Sequence, residues 1–123
     1  MLSFLRKYSL PIVWALLTLT ACGINGNSIP KISFNIGIDK IAHFILFGMQ
    51  SWLIIRAQQK GNETINWRQV NYAVLFGISY GIVIEILQAT IFINRSYDYA
   101  DMLANSIGAV SCYGFTYLRW GLK

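Results

Sequence analysis

The sequence predicts an all-α fold: a membrane-embedded four-helix bundle with short loops and both termini cytoplasmic. Three observations lead there. Of the 123 residues, 55% are hydrophobic and only 12% charged, whereas a soluble domain carries about 25% charged residues. Mean hydropathy is +0.48. Four apolar runs, each close to the roughly 20 residues that cross a bilayer, are separated by clusters of Gly, Asn, Ser and Pro. Little chain is left over, so residues 1–123 read as a single domain with no separate soluble part. The +5 charge balance, 10 Lys and Arg against 5 Asp and Glu, is scattered over the ends of the apolar runs. Orientation signals and lipid headgroups place basic residues there. No nucleic-acid partner is expected.

Met1 to Tyr8 is a short head with the basic pair Arg6 and Lys7, and the first helix starts near Leu5 with the apolar run Leu10 to Ala21 as its body. Pro11 falls in the first turn of that run. It ends at the breaker cluster Gly23-Ile24-Asn25-Gly26-Asn27. A second reading of the same stretch is a cleaved lipoprotein signal, because Leu19-Thr20-Ala21-Cys22 resembles a bacterial lipobox. A retained helix is the favoured reading, since the rest of the chain is already membrane-embedded. Residues 23–37 form a polar loop with Pro30 and Lys31. The second helix covers Ile38 to Ala57, and Gln58 to Gln69 is a polar loop. The third helix covers Val70 to Ile93, where Gly77, Ser79 and Gly81 permit close approach of a neighbour. Asn94 to Tyr97 is a tight turn. The fourth helix runs from Asp98 to Trp120, with Asn105, Ser106, Gly108, Ala109 and Ser111 as its packing face.

Basic residues set the expected orientation. Arg6, Lys7, Arg56, Lys60, Arg68, Arg119 and Lys123 fall on one side, and Lys31, Lys40 and Arg95 on the other. The richer side is cytoplasmic, so the loops at 23–37 and 94–97 face outward. Trp52, Trp67 and Trp120 lie near span ends and suit the interfacial aromatic belt. Cys22 and Cys112 fall at different depths, so no disulfide is expected.

Polar residues are concentrated near the outer ends of three helices. Asp39 and His43, four apart, share a face of the second helix. Glu85 and Gln88, three apart, share a face of the third. Asp98, Asp101 and Asn105 follow Arg95 on one face of the fourth. At 1.5 Å of rise per residue, His43, Glu85 and Asn105 all lie roughly 7–12 Å below the outer surface. Glu85 is the sharpest signal, because a charged side chain at mid-bilayer costs at least ~2.5–3.5 kcal/mol without a partner. Simpler roles are open to each residue. Asp39 and Asp98 suit helix N-termini, with Asp101 reinforcing the first turn. His43 suits a hydrogen-bonded packing residue, Glu85 a structural ion pair with Arg95, and Gln88 and Asn105 interhelical contacts.

These residues carry a resemblance. Asp39-Lys40-x-x-His43-Phe44, Gly81-x-x-x-Glu85-x-x-Gln88 and Arg95-x-x-Asp98-x-x-Asp101-x-x-x-Asn105-x-x-Gly108 resemble the VanZ-like family of small bacterial membrane proteins. The similarity spans roughly residues 38–112. It implies a compact four-helix module in the bacterial cytoplasmic (inner) membrane, multi-pass, with a role at the cell envelope. The family's named member is associated with resistance to the glycopeptide teicoplanin.

Three functions fit these observations. In the first, Asp39, Lys40, His43, Glu85, Gln88, Arg95, Asp98, Asp101 and Asn105 bind the polar headgroup of a membrane lipid or lipid-linked envelope precursor at the outer leaflet. In the second, His43 with Glu85 or Asp101 performs acid–base chemistry on such a substrate. In the third, the polar groups only assemble the bundle. No cofactor is required by any motif. A divalent metal is the one alternative, with a single His among carboxylates suiting Mg²⁺ or Mn²⁺ better than Zn²⁺.

Overall fold

The computed structural model describes residues 1–28 and 37–121. The expectations for Pro30, Lys31 and Lys123 lie outside those residues. Four α-helices make up the structure: α1 (Leu2–Cys22), α2 (Ile38–Gln59), α3 (Trp67–Thr90) and α4 (Tyr99–Thr116), the last continued by one π-helical turn, Tyr117–Gly121. Among the described residues there is no strand. α2 touches all three other helices, most extensively α4. α1 rests against α2 and α3 and does not reach α4.

Several boundaries differ from the sequence reading, each for a local reason. α1 begins at Leu2, so Pro11 sits mid-helix, where its ring removes one backbone donor. α3 begins three residues early because Asn66 caps it, accepting from the N–H groups of Arg68 and Gln69. It ends at Thr90, and the left-handed Asn94 (φ 54°) turns the chain back. Asp98 caps α4 rather than lying inside it.

Among the described residues three helices, α1, α2 and α3, are long and apolar enough to cross a membrane. α4 has only 18 residues. Its inward face carries Asp101 and Asn105, which lower its overall apolarity. That helix is accommodated by being packed against α2 and α3.

The inside of the bundle is unusually polar. Among the described residues ten buried side chains are hydrophobic and ten are polar or charged, while Leu2, Leu10, Leu16, Leu75, Ile86 and Leu103 are among the large apolar side chains left outside. That distribution suits lipid, where apolar surface needs no burial and helices associate through close packing and polar contacts. Close packing is achieved at glycines. A Cβ on Gly108 would lie 2.3 Å from the carbonyl oxygen of Phe44, so α4 and α2 meet backbone to backbone. Gly77 and Gly81 let α3 approach Ser51, Ala109 and Asn105 in the same way. Ser79, expected on that face, is exposed. On α4 the buried positions are Asp101, Asn105, Gly108, Ala109, Cys112 and Thr116, a helical 4-3-1-3-4 stripe. Ser106 and Ser111 lie at its margin. Both cysteines are free.

Candidate functional site

α1 and α3 end, and α2 and α4 begin, at the same end of the bundle. The first turns of α2 and α4 and the last turns of α3 therefore bring their polar residues together. Lys40 is the hub of the outer part. Its Nζ lies 2.9 Å from Asp39 Oδ2, 2.7 Å from Asp98 Oδ2 and 2.8 Å from Asp101 Oδ1. The first two contacts are hydrogen bonds. The third is a charge contact outside hydrogen-bonding geometry, which leaves Asp101 Oδ1 without a formal donor. Asp98 does two jobs: Oδ1 accepts from Ala100 N–H at 2.8 Å and caps α4, while Oδ2 holds Lys40. The Lys40 ammonium thereby keeps the Asp98 carboxyl below the usual carboxylate range.

Deeper in, His43 occupies the centre. Its Nδ1 is 2.8 Å from Asn105 Oδ1 and 3.8 Å from Glu85 Oε1. Its Nε2 is 3.6 Å from Asp101 Oδ2. The ring stacks on Phe47, with centroids 6.1 Å apart. Glu85 is fully buried. Its Oε2 accepts from the Asp98 backbone N–H at 3.3 Å, and its Oε1 has no hydrogen-bond partner among the described residues. Asn105 Nδ2 is likewise buried without a partner. One ligand atom each from His43, Glu85 and Asp101 lie within 4.8 Å of one another.

The cluster thus runs continuously inward. Asp39 and Asp98 have side chains 54% and 41% exposed, Lys40 28%, Asp101 10%, His43 4% and Glu85 0%. Four carboxylates face one ammonium along this path, so its net charge is negative.

A family model described as VanZ/LLP1 matches residues 3–120 of the chain. The chain belongs to the VanZ/LLP1 family. With three helices long and apolar enough to span, it is a VanZ/LLP1 membrane protein. None of the curated proteins and none of the solved structures compared with it matches. The family match takes in α1, beyond the 38–112 stretch that carries the sequence resemblance. Four side-chain hydrogen bonds tie α1 to the rest of the VanZ/LLP1 bundle: Gln50 Nε2 donates to Pro11 O at 3.2 Å, Trp14 Nε1 to Leu46 O at 2.9 Å, Tyr80 OH to Ala15 O at 2.6 Å, and Gln88 Nε2 to Cys22 O at 3.1 Å.

Two of the residues grouped by sequence lie apart from the cluster. Gln88 ties α3 to the end of α1. Arg95 is half-buried in the turn before α4, and among the described residues it forms no ion pair with Glu85. The expected Glu85–Arg95 pair is therefore replaced by the Asp98 N–H and His43. The depth of Glu85 explains the substitution: it lies well inside α3, below the turn that carries Arg95. Asp39 points outward, and it is Lys40, three residues before His43, that shares the inward face of α2. Spacings of three and four both place residues on one helical face, and the sequence reading paired His43 with the wrong one. Gln50 was also passed over. It is buried mid-helix, donates to Pro11 O at 3.2 Å, and leaves Oε1 unpartnered. Its signal was the same as that of Glu85, a polar side chain inside an apolar run.

Proposed function

We propose that this VanZ/LLP1 membrane protein binds the polar headgroup of a membrane lipid or lipid-linked envelope precursor at the outer leaflet of the bacterial cytoplasmic membrane. The observation that carries this reading is the graded polar path from exposed Asp39 to buried Glu85, ending in a carboxylate oxygen, Glu85 Oε1, with no donor among the described residues. Packing alone gives no reason to keep such groups. A buried polar atom without a partner costs about 1–3 kcal/mol, and a charged group costs more. The acidic balance favours a headgroup bearing an ammonium group, or a phosphate bridged to the carboxylates by a cation. Apolar outer faces of α1 and α3 supply a lipid-compatible surface for the attached chains.

Mass spectrometry of lipids retained by the purified protein tests the proposal. One headgroup class is expected with the native chain and is depleted in Glu85→Gln. Identical retained lipids in both proteins overturn it. Glu85→Gln keeps an acceptor for the Asp98 N–H, so the variant is expected to fold; unfolding would instead favour a purely structural cluster. The outward placement of the site rests on the distribution of basic residues. Externally added thiol reagent is expected to label Ser28→Cys and Ser96→Cys in intact cells and to spare Asn62→Cys. A link to teicoplanin resistance rests on the family resemblance, and a deletion strain with unchanged glycopeptide susceptibility would remove it.

A second reading, proton transfer on a bound lipid-linked substrate, is supported by His43 lying between Glu85 and Asp101 at 3.8 and 3.6 Å. His43→Gln separates the two: binding alone predicts no chemical change in the retained lipid with either protein.

A further inference from the structure

Lone pairs outnumber hydrogens at the bottom of the polar path. Asn105 Oδ1 only accepts, so at 2.8 Å it takes the hydrogen of His43 Nδ1. In the neutral ring with that tautomer Nε2 presents its own lone pair, and Nε2 faces the carboxylate oxygen Asp101 Oδ2 at 3.6 Å. Glu85 Oε1 is fully buried and has no donor. Lys40 satisfies the outer acids and reaches only the other oxygen of Asp101. Glu85 and the inner oxygen of Asp101, Oδ2, are the part of the cluster that the chain's own cation does not reach.

We propose that His43, Glu85 and Asp101 form a binding site for a divalent cation of the Mn²⁺/Mg²⁺ class, which bridges the protein to the phosphate of a headgroup. This rests on reading the cluster as a headgroup site. The donors suit such an ion in type, because two carboxylates favour Mg²⁺ or Mn²⁺ and an added imidazole tilts the choice towards Mn²⁺. They suit it in spacing. Donors on opposite sides of a divalent ion are about 4–5 Å apart, twice a bond length of about 2.0–2.6 Å, and the three ligand atoms lie within 4.8 Å of one another. They suit it in support as well. A metal-bound imidazole is oriented by an acceptor on its other nitrogen; Asn105 Oδ1 holds Nδ1, which leaves Nε2 and the facing Asp101 Oδ2 for the ion, with Glu85 Oε1 3.8 Å from Nδ1. Three protein ligands leave coordination positions for water or phosphate oxygens. The cation also removes a difficulty in the headgroup reading, since an acidic site would otherwise repel a phosphate.

The test uses full-length protein in detergent, stripped with EDTA and titrated with Mn²⁺ while free Mn²⁺ is followed by electron paramagnetic resonance. Saturation at one ion per chain is expected. Glu85→Gln and Asp101→Asn should each weaken binding at least about tenfold, by analogy with the loss of metal-supporting groups. Glu63→Gln, an exposed carboxylate in the loop between α2 and α3 at the other end of the bundle, should leave it unchanged. Circular dichroism establishes that each variant is folded. A measurement on the unmodified chain makes the outcome independent of variant folding: the pulsed spectrum of bound Mn²⁺ should show nitrogen coupling from His43. Absence of stoichiometric Mn²⁺ binding, or binding without nitrogen coupling, overturns the cation site. The lipid analysis is scored separately. Mn²⁺ bound with no headgroup class retained upholds the cation site and removes the headgroup reading. A headgroup retained by EDTA-stripped protein that takes up no Mn²⁺ does the reverse.

Discussion

The two ends of the bundle are built on different terms. At the end where α2 finishes and α3 begins, Ile55, Val70, Ala73, Val74, Ala109 and Cys112 form a buried apolar core. Trp52 and Trp120 close it, with ring centroids 5.5 Å apart. At the other end the buried apolar cluster shrinks to Cys22, Phe47 and Ile84, and His43, Glu85, Asp101 and Asn105 take the remaining interior. The first end is mainly apolar packing, although Gln59 and Thr116 are buried there as well. The second holds carboxylates whose partners are incomplete. Apolar packing and the ionisable cluster are thus segregated along the helix axes, with the Gly48–Gly108 crossing of α2 and α4 between them.

That segregation can be broken at the crossing. Gly108→Leu should have the largest effect, because even a Cβ would meet the Phe44 carbonyl at 2.3 Å. Overpacking of this kind costs about 3 kcal/mol or more when backbone must move. Loss of folded protein on size-exclusion chromatography is the expected readout. Wild-type yield and melting behaviour for Gly108→Leu would mean that the two helices do not cross so closely.

Ile55→Ala probes the apolar end. Ile55 is fully buried, and the cavity left behind should cost about 2 kcal/mol. That is the low end of the range for such truncations, since lipid offers no hydrophobic penalty for separated helices. Thermal unfolding should shift while retained lipid stays the same. A change in both would show the two ends to be coupled.

Lys40→Met probes the polar end. It strands three carboxylates, and because Lys40 and its partners are partly exposed the loss should be about 1–2 kcal/mol, below that of a fully buried pair. Retained lipid or bound cation should change together with stability, in contrast to Ile55→Ala.

The smallest effect is expected from acid. Asp98 is held below the usual carboxylate range by Lys40, so its contribution is present above the unfolded-state value of about 3.9. It is lost as pH falls through the lower folded-state value. With Asp98 41% exposed, the step should be at most about 1 kcal/mol. It should vanish in Asp98→Asn.

Composition and run length by themselves determined that the chain is helical and membrane-compatible, because the cost of burying charge in hydrocarbon leaves few alternatives for a 55% hydrophobic chain. Glu85, Asp101, His43 and Asn105 were legible as one group for the same reason: polar residues at helical spacing and matched depth must face inward. Only the tertiary structure decided their partners. Whether Lys40 or Asp39 turns inward depends on the rotation of α2 about its axis, and that is set by the contact of Gly108 with Phe44, more than sixty residues apart in sequence. Helical spacing treats positions three and four residues away as equivalent, so it could not make the choice. Arg95 was assigned to Glu85 because it is near in sequence. The fold gave the cation's role to Lys40 instead, because the start of α2 lies against the start of α4, and proximity across helices is a property of packing that no local pattern encodes.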